Sequence, residues 1–178
     1  MIPTITMSTN KDINLVVLLL RLGACSEAIA WAESLGPNHP ADATAWEQCP
    51  RGDWMLWVAG RLGIPRATLV LGACACARQA LVHIKAGEDR PRIAIETAES
   101  WARGGEGAAS IEEVRKARAA ADAAAAAAYA ADAAAYAAAA AAAAARKKSL
   151  AKSAELVREV ISWALLAVEV AKKLGDCA

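Results

Sequence analysis

Apolar residues recur along this chain at intervals of three and four in short blocks, each closed by a glycine, a proline or a capping side chain. Nowhere does apolar alternate with polar as in a half-buried strand, so the pattern predicts an all-α protein. Asn10 is placed to cap a helix running to about Leu22, and Ser26 to cap the next as far as Leu35, where Gly36 and Pro37 stop it. One or two turns over 42–49 end at Pro50. Asp53 is placed to cap a helix over 54–62, Gly63 closes it, and Pro65 occupies the first turn of the following one.

The helix expected over 65–84 has a middle that is small and apolar all round, Gly72-Ala73-Cys74-Ala75-Cys76-Ala77, a composition suited to burial on several sides. It is therefore the expected centre of the fold. A helix over 90–103 follows, carrying Ile93, Ile95, Ala98 and Trp101, and residues 104–109 form the expected hinge.

From Ser110 the pattern changes. Ser110 with Glu113 spells a capping box, and no glycine or proline then interrupts the chain until after Leu174. Between Ala117 and Ala145 the only residues other than alanine are Arg118, Asp122, Tyr129, Asp132 and Tyr136. Alanine loses no side-chain entropy in a helix, so this tract must be helical. An unbroken helix over 110–174 extends on the order of 95 Å, far beyond the width of a small bundle. A kink or short break is expected at 146–149, where Arg146, Lys147 and Lys148 suit a helix C-terminus and Ser149 or Ser153 suits a new cap. Spacing by seven aligns Arg115, Asp122, Tyr129 and Tyr136, with Arg118 and Asp132 in the same arc, and this stripe is expected to face solvent. The remaining alanine face is left to be covered by the 65–84 helix or by another copy of the chain.

Composition narrows the classes. At 178 residues the chain suits a single all-helical domain, 1–178, with a short-helix bundle over 10–104 and the long alanine-rich helix over 110–174. Twenty basic against 19 acidic side chains leave a charge of +1, which advertises neither a nucleic-acid-binding surface nor a nucleic-acid mimic. The 57% apolar content is inflated by alanine, and the run over 13–20 is far short of a span, so no membrane is expected. Cys25 follows Leu22-Gly23-Ala24 as in a lipoprotein cleavage site, but Arg21 sits where the apolar region should continue. Five cysteines, an odd number, point to a reducing cytoplasm. Cys74 and Cys76 fall about 200° apart on a helix and cannot share an ion, and with His39 and His83 alone to help, no metal site or other cofactor is expected.

Candidate chemistry gathers in two places. Trp46, Arg51, Asp53, Trp54 and Trp57 crowd one short segment, fit either for a recognition patch or, more blandly, for a core filled by Trp54 and Trp57 with Asp53 as a cap. Arg51-Gly52-Asp53 also spells an adhesion tripeptide, too short a match to count. Arg78, on an otherwise apolar helix, needs a partner; Glu96 or Glu99 supplies a structural ion pair, and the sharper alternative is an anion pocket with His83 or Arg92. The candidate ligand-binding residues are thus Arg51, Asp53, Trp54, Arg78, His83 and Glu96. No phosphate loop, nucleophile elbow or paired histidine motif is present, so no catalytic residue is assigned and a non-enzyme is expected. Regularly spaced threonines, which an ice-binding helix needs, are missing from the alanine tract.

Trp46-Glu47-x-Cys49-x-Arg51-Gly52-Asp53-Trp54-Met55-Leu56-Trp57, then Cys74-Ala75-Cys76-Ala77-Arg78, then Ala94-Ile95-Glu96-Thr97-Ala98-Glu99-x-Trp101, followed by alanine repeats, resembles an alanine-rich family of bacterial and phage proteins labelled as immunity proteins. The resemblance runs from about Leu15 to Ile161. It implies a small cytoplasmic helical protein that acts by binding a protein partner, neutralising a toxin or a defence component. The runner-up is a sponge that sequesters a small anionic, nucleotide-like signal near Arg78 and Trp54.

Overall fold

The structure is a computed structural model that describes residues 13–84, 86–132 and 139–175, with side chains described outside 123–145 and 174–175. Among the described residues nine α-helices follow one another and no strand occurs: α1 (Leu15–Leu22), α2 (Ser26–Ser34), α3 (Ala43–Gln48), α4 (Gly52–Leu62), α5 (Arg66–Arg78), α6 (Arg90–Arg103), α7 (Ile111–Asp132), α8 (Ala139–Val160) and α9 (Trp163–Gly175). The fold is all-α.

Several helix starts differ from expectation. Asn10 lies outside the described residues; the cap of α1 is Asn14, whose side chain accepts from Val17 N at 3.1 Å. The backbone just before it is tied down by Leu15 N donating to His39 O at 2.9 Å and Ala41 N to Ile13 O at 2.7 Å, which holds α1 against the loop leading to α3. Cys25, not Ser26, caps α2, with no side-chain bond. The short helix expected over 42–49 forms as α3, with Asp42 as its cap accepting from Ala45 N at 3.1 Å. Asp53 does not cap α4: the cap is Arg51 and Asp53 sits in the first turn, where a carboxylate meets the positive end of the helix dipole. Gly63 closes α4 at φ 95°, a left-handed conformation that costs other residues strain.

Each helix from α5 to α7 packs on its predecessor, and α8 then returns between α4 and α5. The centre of the protein is therefore not α5, where only Gly72 and Cys74 are buried, but the C-terminal half of α8 with α9. Ala154, Val157, Ile161, Leu166 and Val170 are fully buried there, facing Leu15, Leu18, Leu19 and Leu22 of α1 together with Met55, Ala59 and Leu62 of α4. The small residues of α5 meet this part of α8: the Cys76 thiol donates to Ser153 O at 3.6 Å, and the Gln79 amide to Ser153 Oγ at 2.9 Å; whether they also meet the alanine tract lies outside the residues whose side chains are described. Cys74 turns the other way, toward Ile95 O of α6 at 3.8 Å, as the 200° separation requires.

Gly52 brings two helices into direct backbone contact. A Cβ there would lie 2.5 Å from the Ser153 carbonyl carbon and 2.7 Å from Ala154 N, so the first turn of α4 rests directly on the α8 backbone.

The capping box of α7 forms as written in the sequence, with Ser110 N donating to Glu113 Oε2 at 2.7 Å and Glu113 N to Ser110 Oγ at 3.2 Å. Arg118 and Asp122 pair at 3.5 Å on the exposed face of α7; the rest of the stripe, Tyr129, Asp132 and Tyr136, lies outside the residues whose side chains are described. The expected break at 146–149 is absent, since Arg146 through Ser149 run inside α8. The break falls at Ile161 and Ser162 instead. There Ile161 N still bonds Val157 O, while Leu165 N and Leu166 N turn to Ser162 O and begin α9. The Ile161 carbonyl, which the break deprives of its helical donor, is taken by the Trp46 indole N–H at 3.1 Å.

Candidate functional site: a tryptophan-walled cavity

Helices α1 to α4 and α9 enclose a cavity of about 480 Å³. Its walls hold five of the six tryptophans, Trp31, Trp46, Trp54, Trp57 and Trp163, with leucines from α1 and Met55, Leu166 and Val170 behind them. The sequence places these side chains by helix period. On α4 the stripe Met55, Ala59 and Leu62 faces the core, which leaves Trp54 half-buried at the cavity and Trp57 38% exposed at its edge. Of the two tryptophans that the blander sequence reading puts in the core, Trp54 packs against it from the cavity side and Trp57 stays outside.

One wall is a stack. The Arg51 guanidinium lies 4.4 Å from the centroid of the Trp54 ring, and Trp54 in turn lies 6.1 Å from Trp31 on α2 at an interplanar angle of 47°. Arg51 stands in extended backbone conformation before α4 and forks onto Asp53, Nε to Oδ1 at 3.0 Å and a terminal nitrogen to Oδ2 at 2.6 Å. Its other terminal nitrogen donates to Glu27 of α2 at 2.9 Å. The guanidinium hydrogen bond holds the Asp53 carboxyl below the usual carboxylate range, and the same bond raises Arg51 further. This network joins α2 to the start of α4 across the cavity rim, and Gly52, pressed on α8, fixes where it stands.

Chemically the site is quiet. Burial pushes the Cys49 thiol up to about 11, and its Sγ donates to Arg51 O at 3.6 Å, so it stays a protonated thiol with no nucleophilic character. No histidine lines the cavity to serve as a base. Among the described residues no buried side-chain nitrogen or oxygen lacks a partner, and no group of three or more His, Cys, Asp and Glu side chains is arranged to hold a metal ion.

Of the six candidate residues, Arg51, Asp53 and Trp54 line this cavity. Arg78, His83 and Glu96 stand elsewhere, on α5, the 3-10 turn after it, and α6. Arg78 forks onto Glu99 with two bonds of 2.8 Å, Arg103 adds a third at 3.0 Å, and Glu99 is the one buried charged side chain among those described. These partners hold the Glu99 carboxyl below its ordinary range, Arg78 foremost. Glu96 pairs with Arg92 at 2.9 Å, and His83 is exposed. The six residues thus do not assemble into one pocket. Sequence reasoning missed Trp31 and Trp163 as site residues. A lone tryptophan on each of two separate helices carries no local signal that it will face a third.

The described helices include none long and apolar enough to cross a membrane. No protein-family model, curated protein or solved structure matches the chain.

Proposed function

We propose that this chain is a non-catalytic binding protein that acts in the cytoplasm, and that its partner is another protein, a toxin or defence component neutralised by occupation of its surface. The observation that carries the reading is the rim of the cavity. Trp57, Trp54 and Arg51 gather there beside Asp53 and Glu27, and tryptophan and arginine are the residues that most often dominate protein interfaces. Arg61 also stacks toward Trp57, its guanidinium 5.8 Å from the ring centroid. Beneath the rim no activated nucleophile or base is present among the lining residues, which favours binding over turnover.

The sponge for a nucleotide-like anion draws no support from the residues assigned to it. Arg78 is occupied by Glu99, and Arg51 by two carboxylates.

Native mass spectrometry of the chain purified from its own host tests the reading. A stoichiometric polypeptide partner is expected, lost on Trp57→Ala while the circular dichroism spectrum is unchanged. A bare chain, or a partner held equally by the Trp57→Ala variant, overturns it.

A further inference from the structure

The rim accounts for a protein partner; the space beneath it does not. A cavity of about 480 Å³ lies within the size range of small-molecule sites, and its lining is apolar and aromatic. Three features define what fits. Trp54 and Trp31 form a tilted stack that already carries a flat cation, the Arg51 guanidinium, at one end. Flat rings therefore find a π-face inside.

Electrostatics then select among flat molecules. Arg51 is the only cation among the described lining residues, and three of its N–H groups are spent on Asp53 and Glu27. Asp42 and Asp53 are the acids among the described lining residues, and the Arg158 guanidinium reaches the Trp46 and Cys49 carbonyls of the same wall, so these charges offset one another and no ionic ligand is selected. Asp42 is itself engaged by Ala45 N at 3.1 Å, and no buried side-chain polar atom among the described residues is left wanting a partner. Nothing inside requires a charged or strongly hydrogen-bonding ligand.

We propose that this cavity is a binding site for an uncharged aromatic small molecule, seated against Trp31 and Trp54. The proposal rests on the reading of the chain as a non-catalytic binding protein and names a ligand class for it. Cys25 is exposed and belongs to the lining, so it is a position of the cavity wall that solvent reaches.

The test uses the full chain and three probes of one shape: 2-naphthalenemethanol, 2-naphthoate and 2-naphthyltrimethylammonium, titrated by calorimetry with tryptophan fluorescence in parallel. The neutral probe is expected to bind saturably, one per chain, at least about tenfold more tightly than either charged analogue. Cys25→Trp, which adds bulk at that position of the wall, is expected to weaken it at least about tenfold. Leu20→Trp, which adds an indole at an exposed α1 position outside the lining, is expected to leave it unchanged. If Cys25→Trp loses its helical spectrum, Trp31→Ala replaces it as the weakening variant. Equal or tighter binding of a charged probe, no saturable binding, or binding indifferent to both Cys25→Trp and Trp31→Ala overturns the proposal. A polypeptide partner in the native mass spectrum alongside such a result leaves the binding-protein reading standing. Chemical conversion of a probe would sink that reading instead.

Discussion

The indole N–H of Trp46 donates to the carbonyl oxygen of Ile161 at 3.1 Å, joining positions 115 residues apart at the point where α8 ends and α9 begins. The relationship is reciprocal between the two helices involved. From α8, the Arg158 guanidinium returns to the end of α3, donating to Cys49 O at 3.0 Å and to Trp46 O at 3.4 Å, so each helix satisfies carbonyls that the other's termination exposes. Replacing Trp46 by Phe should strand the buried Ile161 carbonyl and leave a small void. The expected destabilisation is about 2–4 kcal/mol, from an unsatisfied acceptor plus lost packing. Urea unfolding followed by circular dichroism measures it, and a loss under about 0.5 kcal/mol would show that the break in the helix does not depend on this bond.

Gly52 and Gly60 lie on the same helix and should respond oppositely to alanine. At Gly52 the new Cβ would meet α8 backbone at 2.5 Å, and backbone cannot move aside as the end of a side chain can. Gly52→Ala should cost about 3 kcal/mol or more and displace the Arg51 network with it. At Gly60 the nearest atom is Leu69 Cδ1 at 3.6 Å, an ordinary contact, so Gly60→Ala should stabilise by about 0.5–1 kcal/mol through helix propensity alone. Thermal melts of the two variants check the pair.

Arg78→Met removes the forked partner of Glu99 while Arg103 remains. Because Arg78 is 42% exposed and Glu99 only 10%, solvent screens part of the loss, and the expected cost is about 1 kcal/mol near neutral pH. The sign of its pH dependence follows from the depressed Glu99 carboxyl. Its contribution is present above the unfolded value of 4.5 and fades as pH falls through the lower folded value, when the carboxyl protonates. The difference between parent and variant should therefore shrink as the pH is lowered from about 4.5, by urea unfolding at each pH. A constant difference across that range would mean that Arg78 acts through packing of its stem.

Alanine is not interchangeable along this chain. Ala154 is fully buried where α4 and α5 close on α8, and Ala154→Leu should cost about 1–3 kcal/mol by overpacking. Ala119 is exposed on α7, and Ala119→Leu should fall within about 0.5 kcal/mol of the parent. Equal effects at the two positions in denaturant melts would refute the placement of α8 at the centre.

The sequence by itself determined what depends on neighbours close in the chain. The helical class, the short helix over 42–49, the Ser110–Glu113 box and the Gly63 stop all rest on contacts within a turn or so, where propensity and capping decide. Arg78 was legible as a residue needing a carboxylate, but the choice of Glu99 over Glu96 required knowing which face of α6 turns toward α5. Tertiary structure alone decided the rest. The helix breaks at Ser162 and not after Lys148 because a distant indole accepts the role of the next backbone donor, and charge runs or candidate caps near 146–149 had no such partner to end the helix there. Alanine content likewise left the centre of the fold open, since a small side chain is equally at home in solvent and under a crossing helix; the close backbone contact of Gly52 with α8, where an added Cβ would lie 2.5 Å from the Ser153 carbonyl carbon, decides it. The cavity is of the same kind: its tryptophans come from α2, α3, α4 and α9, and only the packing of those helices brings them to face one space.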